Sequence, residues 1–138
     1  KQVTDVTPYD GVVVGTAVRA GKLHRSVRRF VKKNRQALSQ RPVAYFVACG
    51  NMVEDTPQNR EETMGYLKPL LEGVPEIEPV DIGLFAGAIL TEGEDFERQF
   101  CLFKMMMRAM ESQFDDSRDW EAIRAWARDL WSKFQGGQ

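Results

Sequence analysis

Three short stretches of this sequence collect small residues where a ligand could be handled. They are Gly15-Thr16-Ala17-Val18-Arg19-Ala20-Gly21-Lys22, Cys49-Gly50-Asn51-Met52-Val53-Glu54-Asp55-Thr56 and Ala86-Gly87-Ala88-Ile89-Leu90. Each follows an apolar run, and small residues there let backbone N–H and C=O groups approach a flat molecule closely. The first stretch adds one hydroxyl, Thr16, and two cations, Arg19 and Lys22. Arg19 stands among small neighbours, where a long cation can reach over a ligand. Glycine after a strand is also ordinary turn chemistry, so the pattern alone names no reaction. There is no Gly-x-Ser-x-Gly elbow and no Walker-type phosphate loop. One histidine, His24, and two cysteines, Cys49 and Cys101, make neither a zinc site nor a disulfide framework, so no metal is expected. His24 reads as a surface or capping residue, and Cys49 as an inert core thiol. Without a side-chain acid–base set, chemistry at these stretches has to come from a bound cofactor.

Strands must hold these stretches in place. Val12-Val13-Val14, ended by Gly15, is β-branched and continuously apolar, which predicts a strand covered on both faces. From Leu23 to Leu38 the period changes to that of a helix, stopped before Pro42, with its arginines and lysines outward. Val43 to Cys49 is a second buried strand. A helix from about Asn59 to Leu71 follows, short or kinked at Gly65 and Pro69, and then a third strand from Ile82 to Ile89. Between Asp95 and Ser112 a helix turns Phe96, Phe100, Phe103, Met107 and Met110 to one face, with Leu102, Met105 and Met106 as surplus apolar surface. Asp119 caps a last helix to about Phe134, whose stripe Trp120, Ile123, Ala127, Leu130 and Phe134 is read as core. Strands alternating with helices imply an α/β fold, a doubly wound parallel sheet with helices on both faces. In such a sheet, ligands bind beyond the carboxyl ends of the strands, where all three stretches fall. Three strands are meagre for a free-standing sheet, and the first residue is Lys1 rather than Met. One or two further strands are therefore expected upstream.

The chain has 138 residues, the size of one domain over 1–138, and 43% are hydrophobic, which excludes disorder. With 19 basic against 20 acidic residues the net charge is −1, which argues against a dedicated nucleic-acid binder. No apolar run is long enough to span a bilayer, and a reducing, cytoplasmic setting is expected. The charges are segregated. Nine basic residues and no acidic one lie between Gly11 and Val53, whereas twelve acidic and two basic residues lie between Glu54 and Glu97. Such blocks steer partners or cover solvated helix faces, the second being the plainer reading.

The stretch Tyr9-Asp10-Gly11-Val12-Val13-Val14-Gly15-Thr16-Ala17-Val18-Arg19-Ala20-Gly21-Lys22-Leu23-His24 resembles the third strand and following loop of the flavodoxin-domain family. The branch it resembles is that of the quinone-linked protoporphyrinogen dehydrogenases. Phe30-Val31-Lys32-Lys33, Phe85-Ala86-Gly87-Ala88 and Asp119-Trp120-Glu121-Ala122-Ile123 are similar to later landmarks of the same branch. The resemblance implies a flavodoxin-like fold that binds FMN non-covalently. It places Thr16, Ala17, Val18, Arg19, Ala20 and Gly21 on one side of the isoalloxazine ring, and Cys49, Gly50, Asn51, Met52, Val53 and Glu54 on the other. Arg19 would oppose the negative charge of a reduced flavin. The family's phosphate-binding loop has no counterpart from Lys1 onward and is expected upstream, so the 138 residues alone are expected to bind FMN weakly or not at all. The implied function is an FMN-dependent oxidoreductase of heme biosynthesis, relaying electrons from a large aromatic substrate to a quinone. The alternatives are a flavodoxin-type carrier that docks with a redox protein, and an interaction domain without cofactor. Further expectations are peripheral contact with the inner membrane face and a homodimer through the helix at 95–112.

Overall fold

The computed structural model describes residues 3–88, 101–111 and 116–136. Its first strand, β1, runs Val12–Arg19, well past the glycine expected to end it. Gly15 stays in the strand because its missing side chain is filled from next door. A Cβ there would lie 2.1 Å from Cζ of Phe46, so the phenyl ring rests directly on the backbone. The chain turns at Ala20 and Gly21, with φ of 47° and 70°, and returns as the two-residue strand β2 (Lys22–Leu23). Positive φ at both turn residues gives the twist that a two-residue hairpin needs, and glycine supplies it without strain. Residues 16–19, expected in a loop, are thus strand.

The expected helix from Leu23 to Leu38 is split into α1 (Arg25–Lys33) and α2 (Arg35–Leu38). Asn34 makes the break. Its Nδ2 donates to the Phe30 carbonyl at 3.0 Å, and its own amide is spent on the same oxygen. Next come β3 (Val43–Ala48), α3 (Pro57–Glu72) and β4 (Pro79–Phe85). Thr56 starts α3 by accepting from the Asn59 amide at 3.1 Å, ahead of Pro57 in the first turn. Pro69 sits in the interior of α3 without ending it. The third strand begins earlier and ends earlier than expected, leaving 86–88 as coil; Ile89 lies outside the described residues. The chain's last two helices are α4 (Cys101–Glu111) and α5 (Trp120–Gly136). Residues 95–100 and 112 of the expected helix lie outside the described residues. Asp119 caps α5 as expected, Oδ1 accepting from the amides of Glu121 and Ala122 at 3.0 and 2.9 Å.

The sheet order is β2-β1-β3-β4, with β1, β3 and β4 parallel and β2 antiparallel at the edge. Six residue pairs from Val12↔Val43 to Ala17↔Ala48 join β1 to β3. On one face Val14, Tyr45 and Val47 meet Val31 of α1 and Leu67 and Leu70 of α3, forming the core. Alternation sends Val13, Gly15, Phe46, Gly83 and Phe85 to the other face, where α5 lies. β1 departs here from expectation: Val13 is 44% exposed, so the strand is buried on one face only. Its far edge is also open. Only Val18 and Arg19 find partners there, in β2, and Val12 to Ala17 have no strand beside them among the described residues.

Candidate functional site

The carboxyl ends of β1, β3 and β4 open into a cavity of about 950 Å³ that continues down the α5 face of the sheet. This volume lies at the upper end of ordinary ligand sites. Its upper rim is built of small residues, Ala17, Ala48, Gly50, Ala86, Gly87 and Ala88. The Cys49 amide donates to the Phe85 carbonyl at 3.0 Å and holds the β3 and β4 rims together. A Cβ on Gly87 would stand 3.8 Å from that of Ala48, so the two rims nearly touch.

The stripe on α5 is not core. Leu130 is buried, but Trp120 and Trp131 are 49% and 67% exposed, and with Ile123, Ala127 and Phe134 they wall the cavity. The cause is the helix's position. It bears on β4 through Trp126 and, among the described residues, leaves the sheet surface over β1 open, with Val13 exposed. Trp126 stands edge-on to Phe85 and Phe46, with centroids 5.5 and 6.3 Å away. Gly83 makes room for it, since a Cβ there would lie 2.6 Å from Phe85 and 2.9 Å from Trp126. The indole Nε1 donates to Asp81 Oδ2 at 3.1 Å, and Lys133 Nζ donates to the same oxygen. Together these contacts tie α5 to the last strand.

That tie is sensitive to acid. Partial burial pushes the Asp81 carboxyl up, but bonds from Lys133, the Ile82 amide and Trp126 outweigh it and hold the group below its ordinary value of 3.8. A depressed carboxylate stabilises the fold above its unfolded value and stops doing so as pH falls through the lower folded one. Tryptophan fluorescence is therefore expected to report loosening of α5 below about pH 4, and Asp81→Asn to remove that step. An unchanged acid transition in Asp81→Asn would refute this.

Two cations stand at the mouth, Arg19 and Arg118. Arg118 is committed. It donates to Asp116 at 2.7 Å, holds that carboxyl down to about 2, and lies 4.9 Å over the Trp120 ring. Arg19 is exposed and forms no ion pair among the described residues.

Of the residues singled out in the sequence, Ala17, Val18, Arg19, Cys49, Gly50 and Val53 line this cavity. The others do not. Thr16 is buried on the opposite face, its hydroxyl donating to the Ala17 carbonyl at 3.3 Å. Ala20 and Gly21 form the hairpin turn, and Met52 is buried. Asn51 donates to Glu62 at 3.1 Å, and the Glu54 carbonyl accepts from Asn59 at 2.8 Å. His24 is a cap, its Nδ1 accepting from the Ser26 amide at 3.4 Å. Cys49 is buried and free, and Cys101 is exposed and free. Among the described residues no cluster of His, Cys, Asp or Glu could hold a metal ion, and no helix is long and apolar enough to cross a membrane. Arg118, Trp126 and Trp131 escaped sequence reasoning; the signal was the helical spacing of aromatics on α5, which core packing equally explains.

Comparison with known proteins adds a family and three relatives. A family described as the flavodoxin domain matches residues 1–117, so α5 lies beyond the matched range. Protoporphyrinogen IX dehydrogenase [quinone] of Escherichia coli K12 is 27% identical over 128 residues, which is 88% of this chain and 68% of that protein. The proteins of the same description from E. coli O6:H1 and O157:H7 match to the same extent. No solved structure matches.

Proposed function

Starting from a chain that belongs to the flavodoxin domain family, we propose that it is an FMN-dependent oxidoreductase relaying electrons from an aromatic substrate to a quinone. The observation that carries this reading is the rim of small residues at three adjacent strand ends, above an apolar cavity. The quinone is suggested by the printed description of the relatives, protoporphyrinogen IX dehydrogenase [quinone].

The rim suits a flat ring. Ala17, Ala48 and Gly87 carry too little side chain to keep a tricycle from their backbone groups. The described residues offer less for a phosphate. No Ser/Thr- and Gly-rich turn at a helix N-terminus lines the cavity, and its one hydroxyl residue is Ser117. Bound FMN would supply the electron-transfer chemistry that no side chain here can provide. Ala17, Val18 and Arg19 would bound the ring on one side, with Cys49, Gly50 and Val53 on the other. The apolar walls would exclude water from it.

Flavin titration of protein expressed from the complete coding sequence tests the reading, with one FMN per chain expected. Protein that neither contains nor takes up FMN would end it. Arg19 is assigned an electrostatic role, because a free cation at the rim favours electron uptake. Arg19→Ala should lower the reduction potential by roughly 10–20 mV, equivalent to about 0.5–1 kcal/mol over two electrons. The fold should be unaffected, and an unchanged potential would retire the assignment.

Self-association through α4 belongs to the same proposal. Leu102, Met105 and Met106 are 76%, 64% and 52% exposed, a Met-rich surface suited to packing against another copy. Replacing Met105 and Met106 with glutamate should convert a dimer into a folded monomer in sedimentation. A parent protein that sediments as a monomer contradicts it.

A further inference from the structure

One turn of the rim is held from outside the cavity. Gly50–Val53 forms a single 3₁₀ turn between β3 and α3, and its two end residues line the cavity. Hydrogen-bond geometry in so short a 3₁₀ turn is poor, so its shape depends on other anchors. Both limbs have them. The Cys49 amide ties the incoming limb to Phe85, and on the outgoing limb Asp55 accepts twice from Arg60, at 2.5 and 2.6 Å. Beside them the Asn59 side chain donates to the Glu54 carbonyl at 2.8 Å. The tip has the buried Met52 side chain and, among the described residues, one side-chain bond to a neighbouring element. Asn51 Nδ2 donates to Glu62 Oε2 at 3.1 Å. The other Glu62 oxygen accepts from Gln58 at 3.2 Å, one turn earlier on α3, which fixes the carboxylate beside the tip.

Bonds between side chains at the surface add little to the stability of a whole fold. Their effect is local, because they restrict a short backbone segment that would otherwise sample several conformations. We propose, on the reading of this cavity as an FMN site, that Glu62 is a positioning residue for the rim. It acts through Asn51 and holds Gly50 and Val53 in the arrangement the ring meets. Neither Glu62 nor Asn51 lines the cavity, so neither acts by touching the ligand. Asn51, expected from the sequence to lie beside the ring, instead turns outward to α3 and works through its neighbours. A rim ordered before binding spares the ligand the cost of ordering it.

FMN titration of protein expressed from the complete coding sequence tests this. Glu62→Ala and Asn51→Ala should each weaken uptake about three- to tenfold, with urea midpoints close to that of the parent. The double variant should lose no more than either single one, because both remove the same bond. Glu62→Gln keeps an oxygen that accepts from Asn51 and should bind within about twofold of the parent. Glu61→Ala removes an exposed carboxylate next to Glu62 and should bind as the parent does. In flavin-free protein, amide hydrogen exchange at 50–53 should quicken in Glu62→Ala and Asn51→Ala but not in Glu62→Gln. Parent-like uptake by Glu62→Ala, an additive loss in the double variant, or an equal loss in Glu62→Gln would overturn the role of Glu62 and leave FMN binding standing. So would unchanged exchange at 50–53. A parent that takes up no FMN would end the FMN reading itself, and this role with it.

Discussion

Trp126→Ala is expected to lower the unfolding free energy by about 2–3 kcal/mol, a little under the cost for a fully buried aromatic because Trp126 is half-buried. The change removes the two edge-on ring contacts with Phe46 and Phe85 and the indole bond to Asp81. It also empties the space that Gly83 keeps for the ring. Asp81 retains Lys133, so the carboxylate is not left bare. Because α5 is tied to the sheet mainly here, its near-ultraviolet dichroism should collapse at lower denaturant than the far-ultraviolet signal. Trp126→Phe keeps an aromatic wedge but loses the donor, and should cost about 1 kcal/mol. Coincident transitions and an unchanged midpoint in Trp126→Ala would show that α5 is held elsewhere.

Ala48→Trp is expected to weaken FMN uptake on the order of 100-fold, about 2.7 kcal/mol, while leaving the urea midpoint nearly unchanged. The indole would enter a cavity of about 950 Å³ rather than a packed core, so overpacking is avoided. From Ala48 it would cross over Gly87, whose Cβ position lies 3.8 Å from that of Ala48. Both rims would then be covered at once. Ala48→Ser, nearly the same in size, should bind as the parent does. Undiminished uptake by a folded Ala48→Trp protein would move the flavin away from this rim.

The two variants separate the roles of the two ends of the cavity. One tests what holds α5 over the sheet, the other what the small residues at the strand ends are for.

Local order was legible from residue types alone. The run Val43 to Cys49 declared a buried strand, and Asp119 stands where α5 begins, whereas α3 starts at Pro57 behind its Thr56 cap, two residues before the expected Asn59. The glycine-containing stretches from Cys49 and at 86–88 follow strands and meet at one rim, whereas Ala17, expected in a loop, lies within β1. These features depend on periodicity and capping within a few residues, which a linear reading contains. What lies opposite a residue is not contained there. Gly15 looked like a strand end until the Phe46 ring took its place, and the α5 stripe looked like core until the sheet beneath it proved open over β1 among the described residues. Trp126 reaches Asp81 across 45 residues of chain, a pairing no local pattern encodes. The amino-acid sequence by itself determined the central segments of the three parallel strands and of the longer helices, which of them are basic, and where small residues gather. Only the tertiary structure decided which apolar faces are buried and which wall a cavity, because burial belongs to a pair of surfaces and not to either one.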